Sequence, residues 1–144
     1  MSVLWFDGLL TQVADAGVYF LPQPDIEELL EAAAVNRFPC LRVNLRECTD
    51  CADLQLRIAG ALHFPAPTGS NWDALTRALG QLRSPGTPGL VLVLEHSDAL
   101  RAQATDAFKT AMQVLQAASA DWALQHAPLW SFIVLDESEF DALD

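Results

Sequence analysis

Two short, almost unbroken apolar runs, Leu90–Leu94 and Trp130–Leu135, flank one long amphipathic stretch, and this constrains the fold more than any other feature of the chain. A strand with one face in solvent alternates apolar and polar residues. One that is apolar at nearly every position is covered on both faces, the condition of a parallel sheet between helices. Other segments extend the pattern. Val18-Tyr19-Phe20-Leu21 is a β-prone run stopped by Pro22. Asp25, after Pro24, can cap a helix with Ile26, Leu29, Leu30 and Ala33 on one face and acids on the other. Cys40–Leu45 alternates as a strand, and Thr49 or Asp50 then opens a helix whose apolar face is Leu54, Ile58, Ala61 and Leu62. A helix over Asn71–Leu82 is ended by Pro85-Gly86 and Pro88-Gly89. Ala102–Ala120 reads as one long helix with Phe108, Met112, Leu115 and Ala118 along one side. The order βαβααβαβ predicts an α/β fold: a mainly parallel sheet of three to four strands, joined by right-handed crossovers, with helices packed on it.

At 144 residues and 51% hydrophobic, the chain can build an adequate core, which excludes intrinsic disorder. No apolar run approaches the roughly 20 residues that span a bilayer, so no membrane segment is expected. Met1–Asp7 lacks the basic segment and long apolar region of a secretory leader, and the three cysteines are an odd number. Reduced thiols and a cytoplasmic location are the expectation. We expect a single domain over 1–144: a 1–39 N-terminal extension with a strand and a helix, a 40–136 core, and a 137–144 acidic tail. Residues 1–16 fit a further short strand, a helix or a wrap along the sheet edge.

The net charge of −11 is unevenly placed. Residues 1–36 and 110–144 each hold six acids and no Lys or Arg, whereas 37–109 hold seven acids and eight bases. Clustered Lys and Arg are what phosphate neutralisation needs, so direct nucleic-acid binding is excluded. The acidic ends suit long-range attraction of a cationic protein, and equally a solvated surface that maintains solubility.

Between the second and third helical patterns lies Phe64-Pro65-Ala66-Pro67-Thr68-Gly69-Ser70-Asn71-Trp72-Asp73-Ala74-Leu75. Pro65 and Pro67 fix their own φ and restrict the residues before them. Gly69 permits a chain reversal, Ser70 or Asn71 can cap the helix, and Asp73 sits at the positive end of its dipole. A loop with few conformations to lose is suited to binding. Trp72, Leu75 and Leu79 are expected in the core.

This segment resembles the signature of the barstar family, intracellular protein inhibitors of barnase-type ribonucleases, through Pro65, Gly69, Asn71, Trp72, Asp73, Ala74 and Leu75. The order of elements from about 40 to 136 is similar too: a helix before the signature, a strand ending in Glu95 after it, a long helix and a last strand. The resemblance implies a barstar-like layered fold and a protein partner. It also implies that Asp73 faces the basic active site of a ribonuclease, where a carboxylate imitating a substrate phosphate pairs bidentately with arginines. Three features depart from it. Arg77 stands one turn beyond Asp73, where the best-known inhibitor carries a second acid. Pro67 and Thr68 replace the aromatics often found before the glycine, and Ala117 replaces another interfacial acid. Asp73 and Arg77 can form an (i, i+4) pair that partly neutralises the surface, and Arg77 would repel an arginine-rich cleft.

Two other constellations were weighed for chemistry. Cys48-Thr49-Asp50-Cys51 is a CxxC between a strand and a helix, but no aromatic precedes it, and two small residues near a helix cap explain it. A zinc site from Cys40, Cys48, Cys51 and one of His63, His96 or His126 has no supporting spacing. Acids gather at strand ends, Glu95-His96 with Asp98 and Asp136-Glu137, where α/β enzymes bind ligands. No phosphate-cradling loop or nucleophile motif accompanies them, and Asp98 serves as well as a helix cap.

The sequence therefore reads as a non-enzymatic inhibitor or immunity protein, without cofactor or metal and with no feature that fixes an oligomeric state. Its partner would be a basic ribonuclease or other toxin, occluded by Pro67, Thr68, Gly69, Ser70 and Asn71 and by the exposed helix face of Asp73, Thr76, Arg77 and Gly80. The alternative is a barstar-like interaction or regulatory domain with no nuclease partner.

Overall fold

The structure, a computed structural model, describes residues 16–62, 72–82 and 89–135, with the backbone alone at 81 and 82. In chain order the elements are β1 (Val18–Pro22), a single 3₁₀ turn (Gln23–Asp25), α1 (Ile26–Val35), β2 (Cys40–Asn44), α2 (Cys51–Ala61), α3 (Trp72–Leu82), β3 (Leu90–Glu95), α4 (Asp98–Gln103), α5 (Thr105–Leu124) and β4 (Leu129–Leu135). The strands form one four-stranded sheet in the order β1-β4-β3-β2, and every pairing is parallel. This is the expected fold class, with one more helix than the expected order.

The apolar strands are explained by what covers them. Leu90, Leu92 and Leu94 of β3 and Leu129 and Ile133 of β4 pack with Leu54 and Ile58 of α2, Leu75 and Leu79 of α3, and Phe108 and Leu115 of α5. Val91, Val93, Trp130, Phe132 and Val134 point the other way, onto Ile26, Leu29, Ala32 and Ala33 of α1. Tyr19 stacks on Phe132 with ring centroids 5.8 Å apart. The chain crosses the sheet once from β1 to β2 and returns through β3 to β4. Crossovers of one hand running in opposite directions put their helices on opposite faces, which is where α1 and α2–α5 lie. Among the described residues α1 is the helix on its face of the sheet, and each large side chain it buries contributes about 1.5–3 kcal/mol.

Four local expectations are corrected. The stretch Ala102–Ala120 is not one helix: Ala104 leaves helical geometry (φ −141°, ψ 58°), dividing α4 from α5, and α5 runs on to Leu124. Periodicity could not show the break, because alanine serves both helices equally well. Asp98 is not the cap of α4; Ser97 holds that position and Asp98 lies in the first turn. Asp25 occupies the cap position of α1 without a side-chain cap bond, since the 3₁₀ turn before it sets the entry instead. Trp72 is half-buried at the margin of the core, because it begins its helix where cover is incomplete. Asp50, by contrast, caps α2 as expected, its Oδ1 accepting from the Asp53 N–H at 2.8 Å.

Candidate functional site

α3 carries the expected site, and its orientation follows from spacing. Leu75 and Leu79 are one turn apart and 1% exposed, so they fix which side faces the sheet. Asp73, Thr76 and Arg77 are exposed on the other side, with Gly80 between buried and exposed. Asp73 lies in the first turn, where its charge suits the helix dipole. Residues 67–71, the loop half of the expected site, lie outside the described residues.

One buried hydrogen bond helps hold α3 in place. Trp122 of α5 donates its indole N–H to the Leu79 carbonyl at 2.9 Å, a buried bond. That carbonyl is among the last four of α3, which have no acceptor role inside the helix. Beyond it, a side chain built on Gly80 would have its Cβ 3.7 Å from the Asp121 Oδ2. The exposed Asp121 carboxylate therefore lies beside Gly80 at the edge of the α3 face. Sequence reading missed Asp121. The available signal was its place one turn beyond Ala117 on the same long helix.

The Asp73–Arg77 pairing does not form. Among the described residues the ion pairs are Arg42–Glu95 and Arg57–Asp53, and Asp73 and Arg77 are not joined. Both are exposed, and a solvated (i, i+4) pair gains too little to hold two long side chains in one geometry. The surface thus presents Asp73, Arg77 and Asp121 as separate charges, two acids around one base.

Of the strand-end acids, Glu95 is already engaged. Glu95 receives two hydrogen bonds from Arg42, Nε to Oε2 at 2.7 Å and Nη2 to Oε1 at 2.6 Å, which raise the Arg42 pKa further above its ordinary value. Both oxygens of this carboxylate are thus taken up by the guanidinium. Arg57 bonds Asp53 and also reaches the main-chain carbonyls of Asn44 (3.1 Å) and Arg46 (2.6 Å), closing the β2–α2 connection. Asp98 sits in the first turn of α4, while Asp136 and Glu137 lie outside the described residues.

Neither Cys40 nor Cys48 carries a sign of activation. Cys48 is buried, its Sγ 3.8 Å from the Asp50 carbonyl, and burial above all, with Asp53 adding to it, raises its thiol pKa. Burial likewise pushes the Cys40 thiol up to about 11, against the opposing pull of Arg42. Reactive thiols are shifted the other way. Among the described residues no three His, Cys, Asp or Glu side chains come together as metal ligands, and no helix is long and apolar enough to cross a membrane.

With this geometry in view, the comparison with known families is direct. The chain matches the family model described as Barstar (barnase inhibitor) over residues 38–134, well over half its length. It belongs to the barstar family. Among curated proteins none matches the chain.

Proposed function

We propose that this chain is a stoichiometric inhibitor or immunity protein of the cytoplasm that covers the active site of a toxin, most simply a ribonuclease. The observation that carries this reading is the outward face of α3, where Asp73, Thr76 and Arg77 are exposed on a helix anchored from behind by Leu75, Leu79 and the Trp122 bond. A rigid charged face loses little on binding and orients its partner electrostatically. The reading joins this face to the Pro67–Asn71 loop, with Asp73 directed at a cationic cleft and Gly80 allowing close approach. Membership in an inhibitor family supports the absence of turnover. The net charge of −11 supports attraction of a basic protein.

Arg77 favours a second reading, an interaction or regulatory domain without a nuclease partner, because it places a cation at the centre of that face. One experiment separates the two. The purified protein is titrated against barnase-type ribonucleases and against basic proteins captured from its native cell, with the double variant Asp73→Ala, Arg77→Ala alongside. Inhibition at one-to-one stoichiometry that the double variant loses, at nearly unchanged thermal stability, supports the first reading. Capture that survives the double variant and yields no nuclease supports the second.

A further inference from the structure

On the sheet face opposite α3, a cleft of about 520 Å³ opens beneath the first half of α1 at the carboxyl ends of the strands. Topology produces it. The chain leaves β1 toward one face of the sheet and leaves β3 toward the other, and the divergence at this end is where open α/β sheets hold ligands. The volume lies within the range of small-molecule sites.

The lining is amphoteric. Ile26, Leu30 and Val134 supply an apolar wall, Glu27 of α1 an exposed carboxylate, and Arg42 a guanidinium on the floor. Arg42 is pre-set: its Nε and Nη2 are committed to Glu95, whose side chain is only 13% exposed, while the Arg42 side chain is 49% exposed. The clamp leaves the outer Nη1 edge as a fixed pair of donors on the accessible side. His96 closes one end, with Arg46 Nη2 3.3 Å from its Nε2. A purely anionic ligand would face Glu27, and a purely cationic one would face Arg42.

We propose that this cleft binds a small zwitterion, an α-amino acid with an apolar side chain. Its carboxylate accepts hydrogen bonds from the Nη1 edge of Arg42 and its ammonium donates to Glu27. Its side chain lies against Ile26, Leu30 and Val134. The site is separated from α3 by the sheet and is independent of the inhibitor reading.

The test is calorimetric titration of the full chain with leucine, with isocaproate (leucine without its amino group) and with isoamylamine (leucine without its carboxylate). Leucine is expected to bind with a dissociation constant of about 1 mM or tighter, and either truncated compound about tenfold more weakly. Glu27→Gln, a change at an exposed position, is expected to weaken leucine about tenfold and leave isocaproate unchanged. Arg42→Lys keeps the charge but loses the fork; it is expected to weaken leucine and isocaproate and leave isoamylamine unchanged. Leucine failing to bind, or leucine binding that neither variant moves, would overturn the proposal.

Discussion

Trp122 and Leu79, 43 residues apart, are joined by a 2.9 Å hydrogen bond from the indole N–H to the main-chain carbonyl, and both are 1% exposed. The bond ties the last turn of the candidate recognition helix to the longest helix of the fold. Trp122→Phe keeps an aromatic ring and leaves the Leu79 carbonyl buried without this donor, at an expected cost of about 1–3 kcal/mol. Urea denaturation measures it. A variant as stable as the parent would show that the bond anchors nothing.

Arg77 makes a sharper test of partner choice than any deletion. Arg77→Asp gives the exposed face of α3 a second acid one turn from Asp73, where the proposed reading has the parent's Arg opposing an arginine-rich cleft. Relief of that repulsion is expected to tighten binding to a barnase-type ribonuclease by about 2 kcal/mol or more. Inhibition titrations of parent and variant read this directly. Folding stability is expected to change by no more than about 0.5 kcal/mol, as for other exposed positions.

Gly89 is expected to tolerate no side chain. Its φ is +157°, and an added Cβ would lie 2.8 Å from Pro128 Cγ, 2.9 Å from the Pro128 carbonyl oxygen and 3.1 Å from Phe38 Cε1. The carbonyl belongs to a neighbour whose oxygen already accepts the Leu90 N–H at 3.0 Å, so it cannot move aside without loosening the start of β3. Gly89→Ala should cost at least about 1–3 kcal/mol, read as a fall in the urea midpoint.

Alkaline pH should weaken the fold through Cys40. The folded chain keeps this thiol protonated up to about pH 11, mainly because burial disfavours the thiolate. The unfolded chain releases the proton nearer its ordinary value of about 8.5, so above that pH the unfolded state binds fewer protons and stability falls. This contribution is fully present at neutral pH and is lost as pH rises toward 11. Thermal unfolding across that range should show a slope that becomes shallower in Cys40→Ala.

β3 and β4 were legible because each buries both faces. Unbroken runs such as Leu90–Leu94 have no other stable use in a chain of this size. The stripe of Leu75 and Leu79 likewise revealed which side of α3 looks outward, and hence the exposure of Asp73, Thr76 and Arg77. Features that depend on contacts between distant elements were not legible. The break at Ala104 hides in an alanine-rich pattern that continues smoothly across it. The Trp122 bond spans two helices with no local marker, and Asp121 lies beside Gly80 only through the packing of α5 against α3. Trp72 was misplaced because an aromatic at the signature reads as core, whereas its position at the start of α3 leaves it half covered.

β1 and α1 lie before residue 38, where the family match begins, yet β1 pairs with β4 along five registers and α1 packs on Val91, Val93, Trp130 and Phe132. A fragment trimmed to the matched segment would lay bare Val91, Val93, Trp130 and Phe132 as a greasy slab. It would also turn the innermost partner of β1 into an open flank, inviting strand-to-strand association between copies. Anyone transplanting the candidate recognition helix of this chain to a minimal scaffold must therefore carry those first elements along, or supply another lid in their place.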